Sequence, residues 1–297
     1  MLPTRRRLPG IVALLAVLLT GCAAGQADQV DQTRAQRTDS MDPGVGHIHG
    51  LGTDPADGSI YIAGHFGLFQ VRATNTAVRI ADRVQDHMGF TVVGPKTFLA
   101  SGHPSAVDVA AGAPAHLGLI RTTDAGLTWK TVSEAGTADF HALQPAGASL
   151  YAYDSQSGRI RRSVDNGVTW TDGAHLEVAD LAGSADQPDL LYATTSEGPM
   201  VSQDGGKTFT ALTGAPPLTF LDTLGKGLLV GTATDGTVRR SEDGGKTWKT
   251  QGNLPGPAAA FSTTDGRRLL MATEDGTVYQ SRDGGRTFST AYKPPPA

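Results

Sequence analysis

Ser241-Glu242-Asp243-Gly244-Gly245-Lys246-Thr247-Trp248 decides the fold, because the chain contains variants of this phrase five times. The other copies are TTDAGLTW (122–129), SVDNGVTW (163–170), SQDGGKTF (202–209) and SRDGGRTF (281–288). Their aspartates, Asp124, Asp165, Asp204, Asp243 and Asp283, stand 41, 39, 39 and 40 residues apart. A fixed period near forty, with one glycine-centred turn and one aromatic per repeat, predicts a ring of stacked β units, a β-propeller.

Each repeat holds three runs of β-branched and apolar residues divided by turn residues. In the first, 48–53 is followed by a turn at 54–58, then by 59–63 and 67–72, with 77–81 as an outer strand. Inner strands are expected to begin near His47, Asp86, Asp139, Glu177, Thr219 and Ala258, which gives six blades over residues 47–292. The first blade has only a degenerate phrase around residues 72–76, so five phrases and six blades agree. Within the phrase the aspartate can accept backbone N–H groups in a turn between the third and fourth strands. The glycine two residues on can take positive φ, and the aromatic can pack between blades. Five copies spread around a ring cannot converge on one ligand, so these aspartates read as structural.

The phrase resembles the Asp-box (BNR) repeat, Ser/Thr-x-Asp-x-Gly-x-Thr-Trp/Phe. Over residues 47–292 the chain is similar to exported bacterial propellers described as sialidase- or glycosylhydrolase-like. That resemblance implies an all-β, six-bladed propeller with Asp-box turns and raises glycoside hydrolysis as one activity. Sialidases use an arginine triad, a tyrosine nucleophile with a glutamate partner, and an aspartate acid/base. Here the inner-strand starts carry His and Asp where such arginines would be expected, and Tyr151 and Tyr153 lie on a second strand with no matched glutamate. The resemblance also extends to non-catalytic propellers that bind peptides or assist assembly of membrane complexes.

The N-terminus reads as an export signal. Arg5, Arg6 and Arg7 precede an apolar run at 11–19 that is too short to span a bilayer. Leu19-Thr20-Gly21-Cys22 resembles a bacterial lipobox, which implies cleavage after residue 21 and lipidation of Cys22. Residues 4–8 also partly match a twin-arginine signal, so the export route stays open. Residues 22–46 are polar and small and read as a flexible tether; 293–297 is a proline-rich tail. These features predict a chain anchored by lipid to the outer face of the cell membrane. Cys22 is the single cysteine, so no intrachain disulfide can form. A net charge of -4 argues against a nucleic-acid partner, which requires a basic face. A monomer that binds a glycan, a small ligand or a protein is the expectation.

Function is sought where the repeats differ. Aligned inner strands place His47/His49, Asp86/Met88 and Asp139/His141 at equivalent positions, and residues two apart share a strand face. The ends of the second strands bring His65, His103 and Asp154 beside them, and an Ala- and Gly-rich insertion at 104–116 hangs over the same mouth. Three readings follow. In the first, the histidines are separate polar residues of a wet channel. They can hold a transition metal, with His47, His49, His65 and His103 as first ligands and Asp86, Met88 and His141 near; imidazole suits Cu or Zn, and a thioether favours Cu. Or two of Asp86, Asp139, Asp154 and Glu177 can serve hydrolysis as a carboxylate pair.

Overall fold

The computed structural model describes residues 42–295. The expected leader, Cys22, most of the expected tether and the last two residues lie outside the described residues. Among the described residues, no helix is long and apolar enough to cross a membrane.

The described strands form six four-stranded antiparallel sheets, each built from four strands consecutive in sequence. Blade 1 holds β1 (Ile48–Thr53), β2 (Ile60–Gly64), β3 (Gly67–Ala73) and β4 (Thr76–Arg79). Blade 2 holds β5 (Asp86–Gly94), β6 (Thr97–His103), β7 (Leu119–Thr122) and β8 (Lys130–Ser133). Blade 3 holds β9 (Phe140–Ala146), β10 (Ser149–Asp154), β11 (Arg159–Ser163) and β12 (Thr171–His175). Blade 4 holds β13 (Asp180–Gly183), β14 (Leu191–Thr195), β15 (Gly198–Ser202) and β16 (Thr210–Ala211). Blade 5 holds β17 (Phe220–Thr223), β18 (Leu229–Thr232), β19 (Thr237–Ser241) and β20 (Lys249–Asn253). Blade 6 holds β21 (Ala258–Thr263), β22 (Leu269–Thr273), β23 (Val278–Ser281) and β24 (Ser289–Tyr292).

The innermost strands pack side by side in a closed cycle in which β21 returns to β1. The chain is thus an all-β, six-bladed propeller. Five inner strands begin within a residue of the positions read from sequence, but the fourth begins at Asp180 rather than near Glu177. There the Leu176 N–H bonds the Gly158 carbonyl of blade 3, which holds the chain to the preceding blade before it can enter the new one.

Apolar side chains explain why the blades stack. Six buried clusters lie between neighbouring blades rather than inside single sheets. Phe140, Leu143 and Leu150 of blade 3 pack on Leu99 and Leu119 of blade 2, and Tyr151 and Ile160 pack on Leu181 and Leu191 of blade 4. A sheet of alternating side chains has two faces to cover, and each neighbour covers one. Burying a Leu, Ile or Phe fully contributes about 1.5–3 kcal/mol, so inter-blade packing dominates stability.

The repeated phrase makes a tight turn between third and fourth strands. In its blade-5 copy, Asp243 Oδ1 accepts from Thr247 N–H at 2.9 Å and from the Ser241 hydroxyl at 2.8 Å, while Oδ2 accepts from the Thr247 hydroxyl. The Ser241 oxygen in turn accepts from Gly245 N–H at 2.9 Å. Gly245 has φ +88°, and the equivalent glycines in the other four copies lie between +82° and +90°. Trp170 shows what the aromatic does: its ring lies 4.7 Å from Phe140, and its N–H donates to Ser133 of blade 2.

The hydroxyl and N–H donors hold Asp124, Asp165 and Asp243 down at about 2, and Asp204 and Asp283 lower still. A depressed folded value means that this stabilisation is present above the unfolded pKa and is lost as pH falls through the folded one. Melting temperature should therefore drop steeply between about pH 4 and about pH 2. Replacing Asp243 by Asn should flatten part of that slope, which differential scanning calorimetry across the range can check.

The ring closes without strand exchange. Blades 1 and 6 meet through Val45, Ile48 and Phe69 packed with Leu270, Val278 and Tyr292. The Lys293 N–H donates to the Thr74 carbonyl at 2.6 Å, and the Arg268 guanidinium donates to the Gly58 carbonyl at 3.0 Å. Val45 was read as tether from sequence; it is buried in this shared cluster.

Candidate metal centre at the channel mouth

The antiparallel return of each second strand brings two chain segments to one rim. His65 N–H bonds the His47 carbonyl at 2.9 Å, Asp86 pairs with His103, and Phe140 pairs with Asp154. In blades 1 to 3 the pairing of these two strands is irregular at this end, at Ile48/Gly50, His87/Gly89 and Tyr153/Asp154. Blades 4 and 5 keep an unbroken register there. The same irregularity recurs in blade 6 at Ala258/Ala260, so bulging at this end is not peculiar to the blades that carry histidines.

Asp86 is the hub. Its Oδ2 lies 3.3 Å from His65 Nδ1 and 3.2 Å from His103 Nδ1, and its Oδ1 lies 3.5 Å from His49 Nε2. His47 is exposed and touches only the neighbouring ring in this set, with Nδ1 3.4 Å from Nδ1 of His49. Asp139 is a second centre: Oδ2 lies 2.9 Å from His141 Nε2 and 3.4 Å from His103 Nε2, and accepts from the Ser155 hydroxyl at 3.1 Å. The His103 ring therefore stands between two carboxylates. One ligand atom each from His49, His65 and Asp86 converge within 4.8 Å, and so do those of His103, His116 and Asp139.

Four of these groups have a buried polar atom without a hydrogen-bond partner among the described residues: His49 Nε2, Asp86 Oδ1, His116 Nδ1 and Asp139 Oδ1. Burial pushes His49 down to about 4, and His47, His65 and His141 add to this against the pull of Asp86. His49 is thus a neutral imidazole at neutral pH, the form that ligates metals. Burial alone would raise Asp139, but His141, His103 and Ser155 outweigh it and hold the carboxyl below its ordinary value.

The other sequence candidates fall elsewhere. Met88 follows on β5, half-buried, two residues from Asp86. Asp154 is committed to its own turn, accepting from Gln156 N–H and the Ser157 hydroxyl and from Asp139 N–H just before the adjoining strand. Glu177 is exposed between blades 3 and 4. His87 points away from the mouth: it is fully buried, its ring is 5.4 Å from Trp129, and burial pushes it to about 4.

His116 was not singled out from sequence. The insertion forms a short helix, α1 (Ala106–Ala110), capped by the Ser105 hydroxyl, and then returns to the rim. Gly136 N–H bonds the His116 carbonyl at 2.8 Å and Leu117 N–H bonds the Gly102 carbonyl at 2.9 Å, so His116 is pinned on both sides. Its ring centroid lies 5.5 Å from that of His103. The only cue was a histidine at the end of an insertion whose other end is also a histidine.

Behind the mouth runs an axial cavity of about 520 Å³, lined from every blade and including His49, Phe90, His141, Asp180, Asp222 and Phe261. Asp180 accepts from Leu181 N–H and reaches across to accept from Leu221 N–H at 3.0 Å on the next inner strand. Burial pushes Asp180 up to about 8 in spite of these donors, and Asp222 up to about 7 in spite of its own, the Thr223 and Thr263 N–H groups.

No protein-family model matches the chain, and no curated protein matches its sequence. Solved structures do. YCF48 bound to the D1 peptide is 18% identical with a TM-score of 0.51, over 84% of this chain and 83% of that one. A chain of the nidogen/laminin complex is 12% identical with a TM-score of 0.59, over 80% and 93%. The GH74 xyloglucanase of Xanthomonas campestris is 16% identical with a TM-score of 0.52, over 83% of this chain but 45% of that one. At such identities the likeness is one of fold, and this chain shares the β-propeller with proteins of different description.

Proposed function

We propose that this chain is an exported, lipid-anchored Asp-box propeller that captures a transition metal, Zn or Cu, at its histidine-rich mouth and presents it to a ligand entering the channel. The observation that carries this reading is the contact between His49 Nε2 and Asp86 Oδ1. These atoms face each other at 3.5 Å, yet neither has a hydrogen-bond partner among the described residues. Two ligand atoms bound tetrahedrally at the usual Zn–N and Zn–O lengths lie about 3.4 Å apart, so the pair is spaced as one edge of a metal site. His65 supplies a third donor, and three protein ligands leave a position open.

The carboxylates do not favour hydrolysis by a pair at the mouth. Asp139, held below its ordinary value, suits the base or nucleophile of such a pair and not its general acid. Asp154 is occupied by its turn.

The test is thermal melting and metal analysis of mature protein purified without a polyhistidine tag. Zn²⁺ or Cu²⁺ at a hundredfold over Kd should stabilise by about 2.7 kcal/mol. That corresponds to a rise of roughly 5–10 °C in Tm for a domain of this size. His49→Ala and His65→Ala should each abolish most of the rise. A wild type that carries no metal and whose Tm neither ion moves would refute the reading.

A further inference from the structure

We propose that the mouth holds two metal ions, the second bound by His103, His116 and Asp139, so that the insertion after β6 completes a dinuclear centre. This rests on the reading of a first ion at His49, His65 and Asp86. The two groups have the same composition, two imidazoles and one carboxylate, and in each the ligand atoms converge within 4.8 Å. Each group also leaves one imidazole nitrogen and one carboxylate oxygen buried without a hydrogen-bond partner among the described residues. A network of ion pairs alone leaves these four atoms unsatisfied, which is costly for groups out of contact with water. One ion per group would satisfy all four.

The arrangement also supplies the outer contacts that metal ligands need. His103 turns its Nε2 toward the Asp139 carboxylate, 3.4 Å from Oδ2, while its Nδ1 lies 3.2 Å from Asp86 Oδ2. A histidine whose second nitrogen is bonded to a carboxylate is fixed in tautomer and orientation. Here that carboxylate is itself a ligand of the first ion, so the two sites are joined through a single side chain. Ser155 and His141 bond Asp139 Oδ2 from the other side and leave Oδ1 available. His116 reaches the second site because its backbone is bonded to Gly136 and flanked by the Leu117–Gly102 bond, not because the insertion is long. The donor set, imidazole with carboxylate, suits a borderline divalent ion such as Zn²⁺.

The experiment is a Zn²⁺ titration of chelator-stripped, tag-free mature protein by calorimetry, with metal analysis after gel filtration. Wild type should bind two ions per chain, and His116→Ala and His116→Gln should each bind one. His65→Ala should also bind one, and the double variant none. Because His116 lies in an insertion, unchanged melting of the metal-free variants will show that the fold is intact. A wild type that binds one ion, with both His116 variants still binding one, overturns the second site and leaves the first reading standing. A wild type that binds none overturns both.

Discussion

Gly252→Ala is expected to destabilise the folded chain by about 2–3 kcal/mol, as overpacking of a closed interface does. The corresponding fall in Tm is roughly 5–10 °C. Gly252 lies on β20, the outer strand of blade 5, and a methyl there would sit 2.2 Å from the carbonyl oxygen of Gly285, in the repeated turn of blade 6. Gly173 on β12 stands in the same relation to Gly206 of blade 4, with 2.4 Å to its carbonyl. In that copy the Ala174 N–H also donates to the Gly206 carbonyl at 2.9 Å, so the approach cannot open without losing a bond. Backbone, not a flexible side chain, is the obstacle in both places. Gly173→Ala should therefore cost a similar amount, measured by urea unfolding with an unchanged m-value. If both alanine variants melt with the wild type, the turn is not the docking element between blades.

Stability should also fall as pH rises from about 6.5 to about 8, and Asp180 and Asp222 should carry that slope; below that window the buried His49 and His87, both held at about 4, oppose it. Both carboxyls have folded values raised by burial, to about 8 and about 7. In that window the unfolded chain has released their protons and the folded chain has not. The stabilisation is complete below the unfolded pKa and gone once pH passes the folded one. Each group adds at most about 1.4 kcal/mol per pH unit to the slope. Asp180→Asn should remove its share of the slope. It will also lower the level at every pH by about 1 kcal/mol, because an amide cannot accept from both Leu181 and Leu221 N–H. The slope of Tm against pH is thus the readout, and Asp222→Asn should remove its own share and part of that of Asp180, which the Asp222 charge helps to raise. A wild-type profile that is flat from about pH 6.5 to 8 would remove the premise that their place in the bore raises these carboxyls.

The fold was legible because the ring repeats one contact. Every copy of the phrase docks against a preceding blade, so Asp, Gly and the aromatic recur at the same spacing whatever else the blade contains. The mouth was legible where register carries the information. His49, Asp86 and His141 lie on inner strands and Asp139 immediately precedes one, and aligning those strands placed them on one rim. The hub was not visible, because strand alignment cannot say that Asp86 faces His49, His65 and His103 together. That depends on how far the first two blades lean toward each other and on the bulge at His87/Gly89. His116 belongs to an insertion with no counterpart in other blades, so no alignment addresses it. Nothing in the sequence singles out Asp180 and Asp222. Their raised values come from six walls around one bore, a property of the closed ring and not of either strand.

That closure has a mechanical side. Five of the six joints between blades are crossed by the polypeptide itself, whereas the joint between blades 6 and 1 is held by packing, by the Lys293–Thr74 bond and by the Arg268–Gly58 bond. Outward strain on the bore is therefore shared unequally, and the hoop has one place where it can part without breaking a covalent bond. Blade 1 forms one side of that joint and also carries His47, His49 and His65. A guest that wedges the bore open would pull first on the clasp beside those three rings.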